Sequence, residues 1–178
     1  MIYVFLADGF EEMEAITPID MLRRVGVEVV TVGIGTATPC GSHGIAVKAD
    51  ITEAEVTTDG LQGVILPGGL PGTTNLEASA TVQRMLDYAA ENDLLIAAIC
   101  AAPSVLGHKG LLDGRRYTCF PGFETVPGAC AEPAVLDGRI VTGKGAGAAV
   151  AFGAKLIEAL CGREKADALL ATMQVPGA

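Results

Sequence analysis

Leu94-Leu95-Ile96-Ala97-Ala98-Ile99-Cys100-Ala101-Ala102-Pro103 decides the fold. Its six opening residues are apolar without interruption, the pattern of a strand buried on both faces of a parallel sheet. The run stops at a cysteine with Ala98 and Ala102 two positions either side. A sharp strand-to-helix turn tolerates only small side chains at those places, where the hydrolase form of this elbow carries glycine. Pro103 then falls in the first helical turn, where its missing N–H costs nothing. A thiol at such an apex faces unpaired helix N–H groups and the positive end of the dipole, which favours thiolate over thiol. Cys100 is therefore the candidate nucleophile.

Working outward, helical and strand patterns alternate along the whole chain. Ile2 to Ala7 reads as the opening strand. Glu11 to Val25 reads as a helix, with Met13, Ile16, Ile19 and Leu22 at helical spacing and Gly26 ending the run. Further strands are expected over Val27 to Val32, Ile45 to Thr52 (a short strand or hairpin arm), Gly63 to Leu66 and Tyr117 to Phe120. Ser79 to Asn92 reads as a helix, and the elbow helix runs to Leu106. Asp137-Gly138 sits between two apolar arms, 134–136 and 139–142, and is a hairpin signal. Gly147 to Leu160 and Glu164 to Met173 close the chain as helices. With no linker or repeat, residues 1–178 read as one α/β domain, a doubly wound, mostly parallel sheet with helices on both faces. Ligands of such sheets bind at the carboxyl ends of the strands, and Glu14, Gly68-Gly69 and Cys100 all follow predicted strand ends.

Three parts can be assembled there. Cys100 supplies the nucleophile. Backbone N–H groups at Gly68, Gly69 and Ala101 can hold a developing oxyanion. A carboxylate comes from Glu11, Glu12 or Glu14, acids that in the first turn of a helix ordinarily serve the dipole. Glu14 lies towards the apolar face; buried beside a sulfur, it should stay protonated and shuttle protons near neutral pH.

Composition excludes other classes. A net charge of −9 argues against nucleic acid and anionic membrane surfaces as partners, and no tryptophan is present for base stacking. Five widely spaced cysteines suit reduced thiols in the cytoplasm better than a disulfide framework. No stretch reads as a signal peptide or a membrane span. The two histidines, His43 and His108, leave none downstream for a Cys–His–Glu triad, and His108 reads as a solvated helix-end cation. Residues 138–144 have phosphate-loop spacing, but Gly145 replaces the required Ser/Thr. Cys40-Gly41-Ser42-His43 has metal-ligand spacing without a second pair, so neither metal nor cofactor is expected.

Four motifs taken together resemble the DJ-1/ThiJ/PfpI superfamily, in its Parkinsonism-associated deglycase branch, as a bacterial-type member. They are Gly9-Phe10-Glu11-Glu12-Met13-Glu14, Leu66-Pro67-Gly68-Gly69, residues 97–103 around Cys100, and Thr142-Gly143-Lys144-Gly145-Ala146-Gly147. The resemblance implies a flavodoxin-like fold, a ThiJ/PfpI-like (class I glutamine amidotransferase-like) domain and a homodimer, with Met13 and Arg24 as candidate contacts. It also implies a reactive, oxidisable Cys100, a protonated Glu14 beside it and Gly69 as an oxyanion donor. Peptidase-like members carry histidine directly after the nucleophile; Ala101 stands here, against a protease. Some members supply a histidine where this chain has Phe120, which leaves Glu14, water or His43 to do its work. The expected activity is that of a cofactor-independent glyoxalase or deglycase, acting on methylglyoxal, glyoxal or early glycation adducts in carbonyl and oxidative stress protection. The alternative is a redox-sensing or stress-protective protein that oxidises Cys100 with little turnover.

Overall fold

Apolar residues recur on both faces of the first strand, and the computed structural model, which describes residues 1–177, buries both. In β1 (Ile2–Ala7), Tyr3 and Phe5 join one core while Ile2, Val4 and Leu6 join the other. That is the consequence of period-2 alternation in a sheet covered by helices on both sides. Seven strands form one sheet in the order β3-β2-β1-β4-β5-β7-β6. The others are β2 (Val29–Ile34), β3 (Ile51–Thr52), β4 (Gly63–Leu66), β5 (Leu95–Ile99), β6 (Ala134–Asp137) and β7 (Ile140–Gly143). All neighbours are parallel except β6 and β7, the Asp137-Gly138 hairpin.

One core packs α3 (Ala80–Glu91) and α4 (Pro103–His108) against the sheet, through Val82, Leu86, Val105 and Leu106. The other packs α1 (Glu12–Arg24), α5 (Ala149–Cys161) and α6 (Arg163–Thr172), through Ile19, Leu22, Phe152, Leu156 and Leu169. α1 and α5 approach closely: a Cβ at Gly153 would stand 2.4 Å from the Met21 sulfur.

Several expectations need correction. The second strand begins at Val29 rather than Val27 and runs on to Ile34. Of the stretch 45–52 only Ile51–Thr52 joins the sheet, while Ala46 makes a single antiparallel bridge to Cys40. Tyr117 to Phe120 is no strand; Tyr117 makes one isolated bridge to Ala129, and Thr118 N–H donates instead to the Thr142 hydroxyl. A further helix, α2 (Gly72–Ala78), follows the Pro-Gly-rich loop after β4, seated by the buried Leu76. On α1, Ile19 and Leu22 are buried, but Met13 and Ile16 are 55% and 41% exposed; Ala15, Pro18 and Met21 take their place inside.

The chain lays β2 and β3 to one side of β1 and β4, β5, β7 and β6 to the other. The order therefore reverses between β1 and β4, which opens a crevice at their carboxyl ends.

Candidate active site

Three segments meet at that crevice: the start of α1 after β1, Pro67-Gly68-Gly69 after β4, and the elbow after β5. Cys100 sits at φ 65°, a conformation a residue with a Cβ adopts only when its surroundings hold it there. Its N–H donates to the Gly143 carbonyl at 2.9 Å, and its carbonyl accepts from Phe120 N–H at 2.8 Å. Behind the turn, Ala102 N–H returns to Ile99 and the Ser104 hydroxyl donates to the Ala101 carbonyl at 2.7 Å. Pro103 opens α4, as expected.

Glu14 is the acid that enters. It is 1% exposed, and Oε2 accepts the Gly68 N–H at 3.0 Å while Oε1 has no partner within the protein. A Cβ on Gly68 would stand 2.5 Å from Glu14 Oε2 and 2.6 Å from Cys100 Cβ, so glycine is what lets acid and thiol meet over the loop. Gly69 follows at φ +87°. The Gly69 and Ala101 amides favour charge on the sulfur, whereas Gly68 N–H is taken by Glu14. Sequence reasoning grouped these three amides as oxyanion donors; that of Gly68 is occupied by the acid.

Burial pushes Glu14 from 4.5 up to about 7, against the Cys100 and Gly68 hydrogen bonds that pull it down. Burial, then the charge and hydrogen bond of Glu14, push the Cys100 thiol up to about 12, and the N–H groups of Gly69 and Ala101 oppose this. The expected easy ionisation of the thiol is thus not a property of the elbow alone, since α4 has only six residues and its dipole is short. Charge on the sulfur is compatible with the site only while the proton rests on Glu14. The two groups titrate as a pair.

The other acids have structural work. Glu11 is the N-cap of α1, its Oε2 accepting Glu14 N–H at 2.8 Å. Glu12 binds the loop that follows β2: its carboxylate accepts the N–H groups of His43 and Ile45, and His43 Nδ1 lies 2.8 Å from Oε2. Burial would raise Glu12, but the hydrogen bonds from His43, its own N–H and Ile45 hold it down at about 2. Glu11, Glu12 and His43 bring three metal-capable atoms together, though each carboxylate is already occupied by capping or by the loop. Cys40 lies outside that group, on the exposed side. His108 pairs with Glu77 at the far end of α4. Residues 138–143 form the β6–β7 turn and strand, not a phosphate loop.

Sequence reasoning missed the second wall of the crevice. Gly145 adopts an extended conformation such that a Cβ would lie 3.4 Å from the Phe120 ring and 4.0 Å from Glu14 Oε1. The run of small residues 145–149 was the available signal.

The DJ-1/PfpI family model matches residues 1–159. Protein DJ-1 homolog A of Arabidopsis thaliana is 39% identical over 91% of this chain, which spans 43% of that relative's length. The glutathione-independent glyoxalase DJR-1.2 of Caenorhabditis elegans is 32% identical over 90% of this chain and 88% of its own. Among solved structures, oxidised DJ-1 of Toxoplasma gondii superposes with a TM-score of 0.94 at 35% identity, covering 98% of both chains.

Proposed function

The chain belongs to the DJ-1/PfpI family, and from that premise we propose that it is a cofactor-independent, cysteine-dependent glyoxalase or deglycase acting on methylglyoxal, glyoxal or early glycation adducts. The observation that carries this reading is the buried Glu14 carboxyl against Cys100, with its pKa brought to about 7 by burial. An acid poised there both gives and takes protons at neutral pH. Similarity to a relative named as a glutathione-independent glyoxalase supports the same chemistry.

In the first step the Cys100 sulfur adds to the aldehyde carbon, and the carbonyl oxygen takes up a proton to complete a hemithioacetal. The N–H groups of Gly69 and Ala101, which favour charge on the sulfur, are the donors available to the charge that develops beside it. Glu14 as carboxylate then removes the C–H proton to give an enediolate and returns it to the neighbouring carbon, leaving a 2-hydroxy thioester. Water cleaves the C–S bond, releasing a 2-hydroxy acid and restoring the thiol. The balance is one dicarbonyl plus one water to one hydroxy acid, with no external electron donor or acceptor. Purified protein should convert methylglyoxal to lactate, and Cys100→Ser or Glu14→Gln should each lower kcat/KM by roughly a hundredfold or more. Lactate formation by Cys100→Ser at the wild-type rate would end the proposal.

A second reading rests on the free Glu14 Oε1. A protonated Glu14 is placed to hydrogen-bond an oxidised Cys100, and the Toxoplasma relative is described in an oxidised form. Intact mass after mild peroxide should then show oxygen addition at Cys100 before the other four cysteines. The same site serves both roles. No helix among the described residues is long and apolar enough to cross a membrane; five unpaired thiols suit a cytoplasmic setting. A homodimer is part of the proposal, for reasons given at the scale of the molecule below.

A further inference from the structure

Beside the reacting pair lies a groove of about 500 Å³. Phe120, Pro121, Ala131, Pro133, Lys144 and Ala146 line it. Gly145 is shared by groove and site, since the Cβ it lacks would stand 3.4 Å from the Phe120 ring and 4.0 Å from Glu14 Oε1. Glu14 Oε1 is buried and has no partner within the protein, so an unsatisfied acceptor borders this groove. Lys144 reaches the Ala131 carbonyl at 3.5 Å, which holds its ammonium at the rim and leaves the methylenes to the wall. Phe120 is 49% exposed yet fixed: its N–H is tied to the Cys100 carbonyl and its ring meets Phe123 edge-on at 6.4 Å.

Ligand clefts occupy roughly 300–1,000 Å³, and this groove falls within that range. An exposed aromatic held in place at such a mouth is a contact surface for an apolar group. We infer that the groove makes the enzyme selective for α-oxoaldehydes carrying an aryl or long alkyl group, the dicarbonyl standing over Cys100 and Glu14 while the apolar arm lies between Phe120 and Ala146. This rests on the glyoxalase reading and specifies its substrate class. Phe120 then acts in specificity, taking the place where some relatives carry a histidine.

The test compares phenylglyoxal, whose product is mandelate, with methylglyoxal, whose product is lactate, on wild type, Phe120→Ala, Ala146→Leu and Cys100→Ala. The inference expects kcat/KM for phenylglyoxal to exceed that for methylglyoxal by roughly tenfold to a hundredfold, the discrimination an apolar pocket achieves. Ala146→Leu narrows the groove and Phe120→Ala removes its aromatic face, so each should lower that ratio by about tenfold, mainly through KM for phenylglyoxal. Because each variant is judged by its own ratio, partial loss of activity does not obscure the result. A ratio at or below one in wild type, or one unmoved by both variants, overturns the inference and leaves the glyoxalase reading standing if lactate still forms through Cys100. Failure to turn over either compound, or equal turnover by Cys100→Ala, removes the glyoxalase reading and the inference with it.

Discussion

Cys100 and Glu14, the pair on which the proposed reaction rests, each hold a state that a free chain would not choose. Glu14 rises from 4.5 to about 7 in the folded protein, so between those values the native state binds more protons than the unfolded chain. The stability that Glu14 contributes is then complete at and below pH 4.5, falls as pH rises, and is lower by about 3 kcal/mol above pH 7. Urea titrations of Glu14→Gln should lack this slope, and an unchanged slope would show that the acid is not held neutral by the fold. Removing the charge and hydrogen bond of Glu14 should ease ionisation of the thiol, so alkylation of Cys100 by iodoacetamide should rise at lower pH in Glu14→Gln than in wild type. The backbone gives an independent check. At φ 65° a Cβ costs about 1–2 kcal/mol, so Cys100→Gly should unfold at higher urea than Cys100→Ala, although both lack the thiol. The order Ala above Gly would mean that the elbow stores no strain. The elbow at Cys100 was legible in the sequence, since small flanks announce it, and the burial of Glu14 was expected, though from a stripe that the fold turns outwards at Met13 and Ile16. That Gly68 rather than Gly69 gives its N–H to the acid was not legible, because which of two adjacent amides meets a carboxyl depends on the path of the loop.

Among the elements, α1 shows best what periodicity carries and what it omits. Its length, its N-cap at Glu11 and its end before Gly26 all follow from local signals. Which stripe faces the core does not: Met13 and Ile16 continue the spacing of Ile19 and Leu22 but are exposed. The neighbouring Glu12 is buried instead, since the loop from Gly41 to Ile45 folds over it and gives it N–H donors. Ile45, the last residue of that loop, opens the stretch to Thr52 that alternates like a strand, and its bond to Glu12 together with the Cys40–Ala46 bridge engages the start of the stretch outside the sheet. Likewise, α2 was hidden by the Pro-Gly signals before it, which mark where a helix starts as readily as where none forms. Glu12 is held down at about 2, so the stability it contributes is complete above pH 4.5 and is lost as pH falls towards 2. Acid titration followed by circular dichroism should find Glu12→Gln less stable than wild type at pH 6 and the two converging near pH 2. The same variant should free the loop, detected as faster amide exchange at His43 and Ile45. Exchange unchanged at both would mean that the carboxylate does not hold the loop.

For the molecule as a whole, the surface left after both cores are closed is informative. Parallel strands buried on each face consume nearly every large apolar side chain, so fold class followed from the alternation of elements alone; the strand order that opens the crevice did not. The exceptions are few: Met13, Ile16, Ile45, Leu70 and Phe120 are exposed. Phe120 has a place in the groove. Met13 and Ile16 are one turn apart on α1, on one stripe of the helix. Ile45 is brought beside that stripe by its N–H, which bonds Glu12 at 3.4 Å. An apolar patch at these positions, on a chain of net charge −9 that would otherwise repel its copies, is what a self-complementary interface needs. Arg24, the other expected contact, pairs with Asp20 at 2.7 Å and lies outside the patch core. Sedimentation equilibrium should therefore give a dimer for wild type. Ile16→Glu, which places a carboxylate at the centre of the patch without entering either core, should weaken association by about a hundredfold while leaving the far-ultraviolet spectrum unchanged. Arg24→Ala should move it by less than tenfold. A wild-type chain that stays monomeric, or an Ile16→Glu variant that dimerises as tightly as wild type, would mean that this patch does not join two copies, and the outward turn of the α1 stripe would then need a different cause.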